Sequence, residues 1–265
     1  MTGTKSLSEL ISLKGRKALI TGAASGIGRA TALRFAEAGA DLELVDIDEF
    51  GLEETKALAE EFGVEVGIHR VDLSKKIEVD ALWEALKGRE PDILVNNAGV
   101  YWFKDFTEVD ERFYERVMAI NLDSVFWMCQ HFVRARKDKG GVIINVSSIE
   151  AFLPFAKGLA HYDAAKLGVV ALTRAIARDY GKKIRANVVV PGGIETEGVK
   201  KLKKEAIMKF DMEKIGISFN FNARLPMGRF GQPDEVARVM LFLASDLSSY
   251  VNGAIIPVDG GFLST

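Results

Sequence analysis

Short runs of consecutive apolar residues alternate along this chain with longer segments whose apolar positions recur every three or four residues. The runs at 17–20, 42–45, 64–71, 92–95, 142–146, 184–190 and 254–258 predict strands. Several are apolar on successive positions, as expected of parallel strands covered on both faces. The intervening segments predict helices over 29–38, 53–62, from about Lys75, over 110–135, from before Tyr162 to near Gly181, and over 233–244. In the long 110–135 helix, Phe113, Val117, Ile120, Ser124 and Met128 share one side and Asn121 lies beside that stripe. Strand and helix alternate from Lys17 to Val258, which predicts an α/β fold: a single Rossmann-like, doubly wound domain of about seven parallel strands flanked by helices. Residues 1–13 read as a polar N-terminal leader and 14–265 as the domain. Within it, 197–225 breaks the alternation without a clear strand and suits a substrate loop or lid.

Composition narrows the classes open to such a domain. The 265 residues are 48% hydrophobic and 27% charged, with a formal charge of −2. That balance is unlike a nucleic-acid-binding surface or a charge-rich disordered chain. The single cysteine, Cys129, sits among Phe126, Met128 and Phe132 and reads as a small core hydrophobe. The first thirteen residues lack the apolar centre of a signal peptide, and no run reaches the ~18 apolar residues of a membrane span. A cytoplasmic protein without membrane, nucleic-acid or metal partners is expected.

Candidate chemistry collects at the carboxyl ends of the predicted strands, where doubly wound sheets bind ligands. The first strand runs into Thr21-Gly22-Ala23-Ala24-Ser25-Gly26-Ile27-Gly28 and then a helix. Glycines let the backbone approach a pyrophosphate, and the helix N-terminus attracts it. The spacing G-x-x-x-G-x-G departs from the common dinucleotide fingerprint, and a glycine turn also serves as a plain connection. The second strand ends at Asp46, which suits a ribose-binding carboxylate and would repel a 2′-phosphate. No Arg or Lys lies between Asp46 and Glu54, so NAD is favoured over NADP. Asp72 and Leu73 end the third strand; Asp72 either faces an adenine or caps the next helix. Asn97, Ala98 and Gly99 end the fourth, where small residues permit close approach, and Asn96 serves equally well as an internal brace. The fifth delivers Ser147 and Ser148, and the sixth opens into Pro191, Gly192, Gly193, Ile194 and Thr196. Tyr162 and Lys166 share a helix face. A cation beside a phenol favours the phenolate, making the pair a proton-transfer device, although the same spacing also occurs as an ordinary surface contact.

Together these motifs resemble the short-chain dehydrogenase/reductase family from about residue 14 to residue 262. The resemblance rests on a set in order: Thr21-Gly22-x-x-x-Gly26-Ile27-Gly28, Asn96-Asn97-Ala98-Gly99, Asn121, Ser148, Tyr162-x-x-x-Lys166 and Pro191-Gly192. It implies a catalytic tetrad of Asn121, Ser148, Tyr162 and Lys166. In that reading Tyr162 exchanges the alcohol proton, Lys166 favours the phenolate and holds the nicotinamide ribose, Ser148 binds the substrate oxygen, and Asn121 anchors a water. Ile194 and Thr196 match positions that contact the carboxamide end of the nicotinamide. The interval from Ser148 to Tyr162 is one residue longer than the family's usual one. A homotetramer packed through the helices of Asn121 and Tyr162 is also implied. The substrate is an alcohol or carbonyl compound, with a sugar or polyol favoured because Glu150 and His161 flank the pocket, as in the glucose dehydrogenase branch that this loop resembles. Trp102, Phe103, Phe152 and Phe155 would instead suit an apolar ketone or alcohol, with Trp102 and Gly193 as further pocket residues. A 3-oxoacyl thioester reductase is the alternative enzyme, and a nucleotide-sensing regulator without turnover the alternative of another class.

Overall fold

The computed structural model describes residues 4–199, 221 and 223–265. Seven strands form one parallel sheet: β1 (Lys17–Thr21), β2 (Asp41–Asp46), β3 (Val66–Arg70), β4 (Ile93–Asn96), β5 (Gly141–Val146), β6 (Ile184–Pro191) and β7 (Ile255–Val258). Their spatial order is β3-β2-β1-β4-β5-β6-β7. The order reverses between β1 and β4, which opens a crevice at the carboxyl edge of the sheet. The fold is therefore a single Rossmann-like α/β domain.

Alternation along each strand decides which helices cover which face. Ile20, Leu44, Val95 and Ile144 point to one side, against α2 (Gly26–Glu37), α3 (Glu49–Glu60) and α8 (Pro233–Ala244). Leu19, Val45, Leu94 and Ile143 point to the other, against α4 (Lys76–Ala85), α6 (Ser124–Arg136) and α7 (Ala160–Tyr180). Each face thus buries its own apolar layer, and the sheet is the shared partition. Cys129 is buried in the second layer, as its neighbours in sequence imply.

Two elements differ from the sequence pattern. The leader contains a short helix, α1 (Leu7–Ile11), whose Ser6 and Glu9 form a reciprocal capping box. The helix expected over 110–135 is interrupted: α5 (Glu111–Met118) passes into a π-helical turn, Ala119–Asp123, before α6 begins. Periodicity of side chains is blind to this extra residue, because apolar positions on both sides still bury. Inside the turn Asn121 donates through Nδ2 to Val117 O, supplying a partner to a carbonyl of the widened turn. The expected substrate loop at 197–225 falls largely on residues outside those described.

The second layer holds a polar brace. Strand register places Asn96 of β4 beside Asn145 of β5, both on the α6 and α7 side. Asn96 Nδ2 donates to Asn145 Oδ1 at 2.8 Å, and Asn145 Nδ2 donates to Thr173 Oγ1 of α7 at 2.8 Å. Asn145 and Thr173 are fully buried, so each bond also spares a desolvated polar group from being orphaned. Asn145→Ala should remove a bond from Asn96 and one from Thr173, leaving Asn96 with Cys129 Sγ and Thr173 with Val169 O, and lower the unfolding free energy by about 1–3 kcal/mol. Denaturant titration of the variant against the parent protein checks this.

Candidate active site

The site is assembled from the carboxyl ends of β1, β2, β4, β5 and β6. At the first, the turn after Thr21 is locked to the turn after Asn96. Thr21 Oγ1 accepts from Asn97 N at 3.0 Å and Ala98 N at 3.1 Å, and Asn97 Nδ2 donates to Thr21 O at 3.1 Å. This approach leaves no space for side chains. A methyl group at Gly28 would lie 1.9 Å from Gly22 O, and one at Gly22, where φ is 68°, would lie 2.7 Å from Asn97 Nδ2. Ser25 is the N-cap of α2, and its hydroxyl makes no capping bond. The same crevice reaches the β6 loop, since a methyl group at Gly26 would lie 3.2 Å from Thr196 Cγ2. Backbone pressed close, with a helix N-terminus behind it, fits the pyrophosphate of a dinucleotide.

Around that turn the other expected cofactor residues are spread along the sheet edge. Asp46 is held by backbone donors: Oδ2 accepts from Ala24 N at 3.1 Å, and Oδ1 from Ile47 N at 2.7 Å and Asp48 N at 3.1 Å. Asp72 accepts from Ser74 Oγ at 2.6 Å and Ser74 N at 3.1 Å, and these bonds hold its carboxyl below the usual range. It braces the turn ahead of α4, whose own N-cap is Lys75. Leu73 packs in the second core layer and Ile194 in the first. Pro191 ends β6, and Gly192 N donates to Val258 O at 3.0 Å.

The four residues of the expected tetrad lie near one another, two of them at Gly99. Asn121 Oδ1 accepts from Val100 N at 3.0 Å, and its Nδ2 donates to Val100 O at 3.1 Å. Lys166 is 3% exposed, and its Nζ donates to Val146 O at 3.0 Å and lies 5.7 Å from the Tyr162 ring centroid. A methyl group at Gly99 would lie 2.8 Å from Asn121 Oδ1 and 3.3 Å from Lys166 Nζ, so Gly99 marks where the two meet. Ser147 Oγ donates to Lys166 O at 2.8 Å and pins α7 to the end of β5. The Ser148 side chain lowers the Tyr162 phenol, and its own oxygen accepts from Glu150 N at 3.2 Å.

Electrostatics in this corner oppose one another. Burial raises the Tyr162 phenol above its ordinary value, while the Ser148 hydrogen bond lowers it and the Glu150 and Asp163 carboxylates raise it again. Burial brings Lys166 down to about 8, which still leaves an ammonium at neutral pH. Two participants carry no motif and escape a sequence reading. Tyr101 stands edge-on to Tyr162 with ring centroids 5.0 Å apart. Asp163 is raised to about 7 by burial and by Glu150.

The expected substrate residues are placed unevenly. Glu150 is 4% exposed, and its Oε2 accepts from Phe155 N at 2.9 Å and Ala156 N at 3.4 Å, while Oε1 accepts from Tyr101 Oη at 3.4 Å. It shapes the loop between Ser148 and Tyr162, and burial raises its carboxyl. His161 Nε2 donates to Trp102 O at 2.8 Å, and its ring meets Phe113 edge-on at 4.9 Å. Its Nδ1 is buried with no partner among the described residues. Trp102 is about one-third exposed, under the Arg116 guanidinium. Gly193 faces Phe221, where a methyl group would lie 2.4 Å from a ring carbon.

Asp163 Oδ1 is also buried without a partner among the described residues. A carboxyl whose folded pKa is raised to about 7 destabilises the fold once ionised. Between the ordinary value near 4 and about 7 the folded state binds more protons than the unfolded, so stability falls as pH rises through that window. Asp163→Ala should therefore raise the melting temperature at pH 8, by the equivalent of about 1 kcal/mol, with the gain disappearing near pH 4. Melting curves of both proteins at the two pH values measure this.

Comparisons with known proteins bear on the same residues. The family model described as enoyl-(acyl carrier protein) reductase matches residues 22–263. A 3-oxoacyl-[acyl-carrier-protein] reductase of Thermotoga maritima is 38% identical over 95% of this chain and 99% of its own length. Among solved structures, a candidate 2-deoxy-D-gluconate 3-dehydrogenase of Agrobacterium tumefaciens with bound NADP superposes with a TM-score of 0.85 at 33% identity, covering 97% of this chain and 99% of that one. A 7α-hydroxysteroid dehydrogenase complexed with NADH and 7-oxoglycochenodeoxycholic acid gives 0.86 at 30% identity, over 97% and 98%. With the glycine turn, the buried Tyr162–Lys166 pair and matches that run nearly end to end, the chain belongs to the short-chain dehydrogenase/reductase family, whose members oxidise alcohols and reduce ketones with a nicotinamide cofactor.

Proposed function

We propose that this oxidoreductase is an NAD-dependent dehydrogenase of secondary alcohols, with a sugar or polyol as its substrate. The observation that carries the reading is the convergence of Ser148, Tyr162, Lys166 and Asn121 in one water-poor corner beside Gly99. When bound, the nicotinamide would supply the carbon that exchanges hydride with the substrate. Gly22, Ser25, Gly26, Ile27, Gly28, Asp46, Asp72, Leu73, Asn97, Ala98, Gly99, Tyr162, Lys166, Pro191, Gly192, Ile194 and Thr196 are the proposed binding residues. Asp46 favours NAD, because its fixed carboxylate can accept from ribose hydroxyls and repels a 2′-phosphate.

The chain's own groups divide the proton chemistry. Tyr162 takes the proton from the substrate hydroxyl in oxidation and returns it in reduction. Ser148 donates its one hydroxyl hydrogen to the substrate oxygen, stabilising negative charge that develops there. Lys166 offers the only cation that the described residues place against Tyr162, 5.7 Å from its ring centroid, and its role in this reading is to favour the phenolate. Asn121 holds the widened turn against Val100, and its proposed role is to anchor a water that links Lys166 to solvent.

A sugar or polyol is supported by the gluconate-type structural relative. The Thermotoga relative favours a second reading, reduction of a 3-oxoacyl thioester. A panel of polyols with NAD, run beside a 3-oxoacyl thioester with NADPH, separates the two. A nucleotide-sensing regulator without turnover is disfavoured, because every proton-transfer group is present and buried. We also propose a homotetramer packed through α6 and α7. Phe126 on α6 and Leu167 on α7 are 42% and 50% exposed, an apolar face that a second copy would cover. Equilibrium sedimentation should give four chains, and a stable monomer would remove this assembly.

Tyr162→Phe should lower kcat by about 10³-fold while leaving cofactor affinity nearly unchanged. Lys166→Met removes the cation, so the rising limb of oxidation activity against pH should move upward by about one pH unit or more. An unmoved limb would show that Lys166 does not tune the phenol. Steady-state rates across pH, with calorimetric titration of NAD, provide both readouts.

A further inference from the structure

The absence of Arg or Lys in the stretch after Asp46 is a statement about sequence, and the sheet alters it. β2 and β3 are parallel, with Asp46 paired to Arg70 in register. Both lie on the strand parity of Leu42, Leu44, Val66 and Ile68, which pack with α2 and α3. Asp46 and Arg70 therefore point to the same side of the sheet edge. Arg70 is exposed, and its Nε donates to Ile47 O at 3.4 Å.

The other arginine near this turn is committed elsewhere. Arg29 Nη2 donates to Glu54 Oε2 at 2.8 Å and to Ala24 O, and its Nε donates to Thr55 Oγ1 at 3.0 Å. Its charge is offset and its direction settled. Arg70 has no ion-pair partner among the described residues, and only its Nε is engaged. The two terminal nitrogens are free to grip a phosphate in the forked geometry that guanidinium groups favour.

We propose that Arg70 is a determinant of cofactor choice: it supplies the positive charge that admits a 2′-phosphate at the adenosine ribose, making NADP a usable second cofactor beside NAD. The proposal rests on the reading of Asp46 as the ribose-binding carboxylate. Asp46 and Asp48 both carry negative charge at this edge, so the phosphate is admitted against repulsion and NAD stays preferred. Arg70 sets how large that preference is.

Titration of the purified protein with 5′-ADP and with 2′,5′-ADP, followed by calorimetry, isolates this half of the site from turnover. The parent protein should bind both, 5′-ADP more tightly. Arg70→Gln should weaken 2′,5′-ADP about tenfold and change 5′-ADP by less than about twofold. The unaltered 5′-ADP affinity doubles as proof that the variant is folded. Equal weakening of both nucleotides, or no change in either, overturns the role of Arg70. Binding of 5′-ADP without detectable 2′,5′-ADP binding by the parent protein also overturns it, and leaves Asp46 as the ribose carboxylate. Failure of the parent protein to bind either nucleotide overturns the ribose pocket and the proposal with it.

Discussion

Lys166 is a cation with almost no access to water, and the site is organised around that constraint. Desolvation pushes its ammonium down to about 8, and among the described residues the acceptor aligned with it is Val146 O, at the end of β5. A buried charge with so little compensation is costly, which makes its surroundings a candidate functional site. Its neighbour there is Tyr162, one turn earlier on α7. The same desolvation that weakens the ammonium raises the phenol, so burial moves the two groups apart in acidity and each resists its charged form. Ser148 lowers the phenol, and Glu150 with Asp163 raises it. The phenol's acidity is the balance of these groups.

That corner exists because the strands deliver it. β5 carries Val146, Ser147 and Ser148 to the edge of the sheet, and Ser147 Oγ fastens α7 there through Lys166 O. β4 brings Gly99 against Asn121 and Lys166, and the π-helical turn brings Asn121 inward from a helix that would otherwise run past. Deeper in the same layer, Asn96, Asn145 and Thr173 tie β4, β5 and α7 together with satisfied hydrogen bonds. Stability and chemistry therefore share one set of elements. The brace keeps α7 seated, and a seated α7 keeps Tyr162 and Lys166 at the mouth of the crevice.

Much of the fold was legible from pattern alone. All seven strands lie where the apolar runs predict them, and those covered on both faces, such as Gly141–Val146, read as nearly continuous apolar residues. Helix Pro233–Ala244 matches its expected bounds, with proline at its start. The site residues were legible as motifs, because close backbone approach demands glycine at Gly22 and Gly28 whatever the surroundings. The π-helical turn was not, because one extra residue in a helix leaves the apolar stripe nearly unchanged. Nor were the partners of Glu150 and His161, whose polar atoms turn to Phe155 N, Ala156 N and Trp102 O.

The sequence by itself determined the order of strands and helices, the positions of the tight glycine turns, and the one-turn spacing of Tyr162 and Lys166, all of which follow from local geometry. Only the tertiary structure decided which residues meet across that order. Strand register pairs Asn96 with Asn145 and Asp46 with Arg70, and packing sets Tyr101 against Tyr162. Such pairs are distant in the chain, and no local preference encodes them. The physical reason is that a hydrogen bond or a charge acts over a few ångströms of space, and in a parallel sheet the neighbours at that distance come from different crossovers.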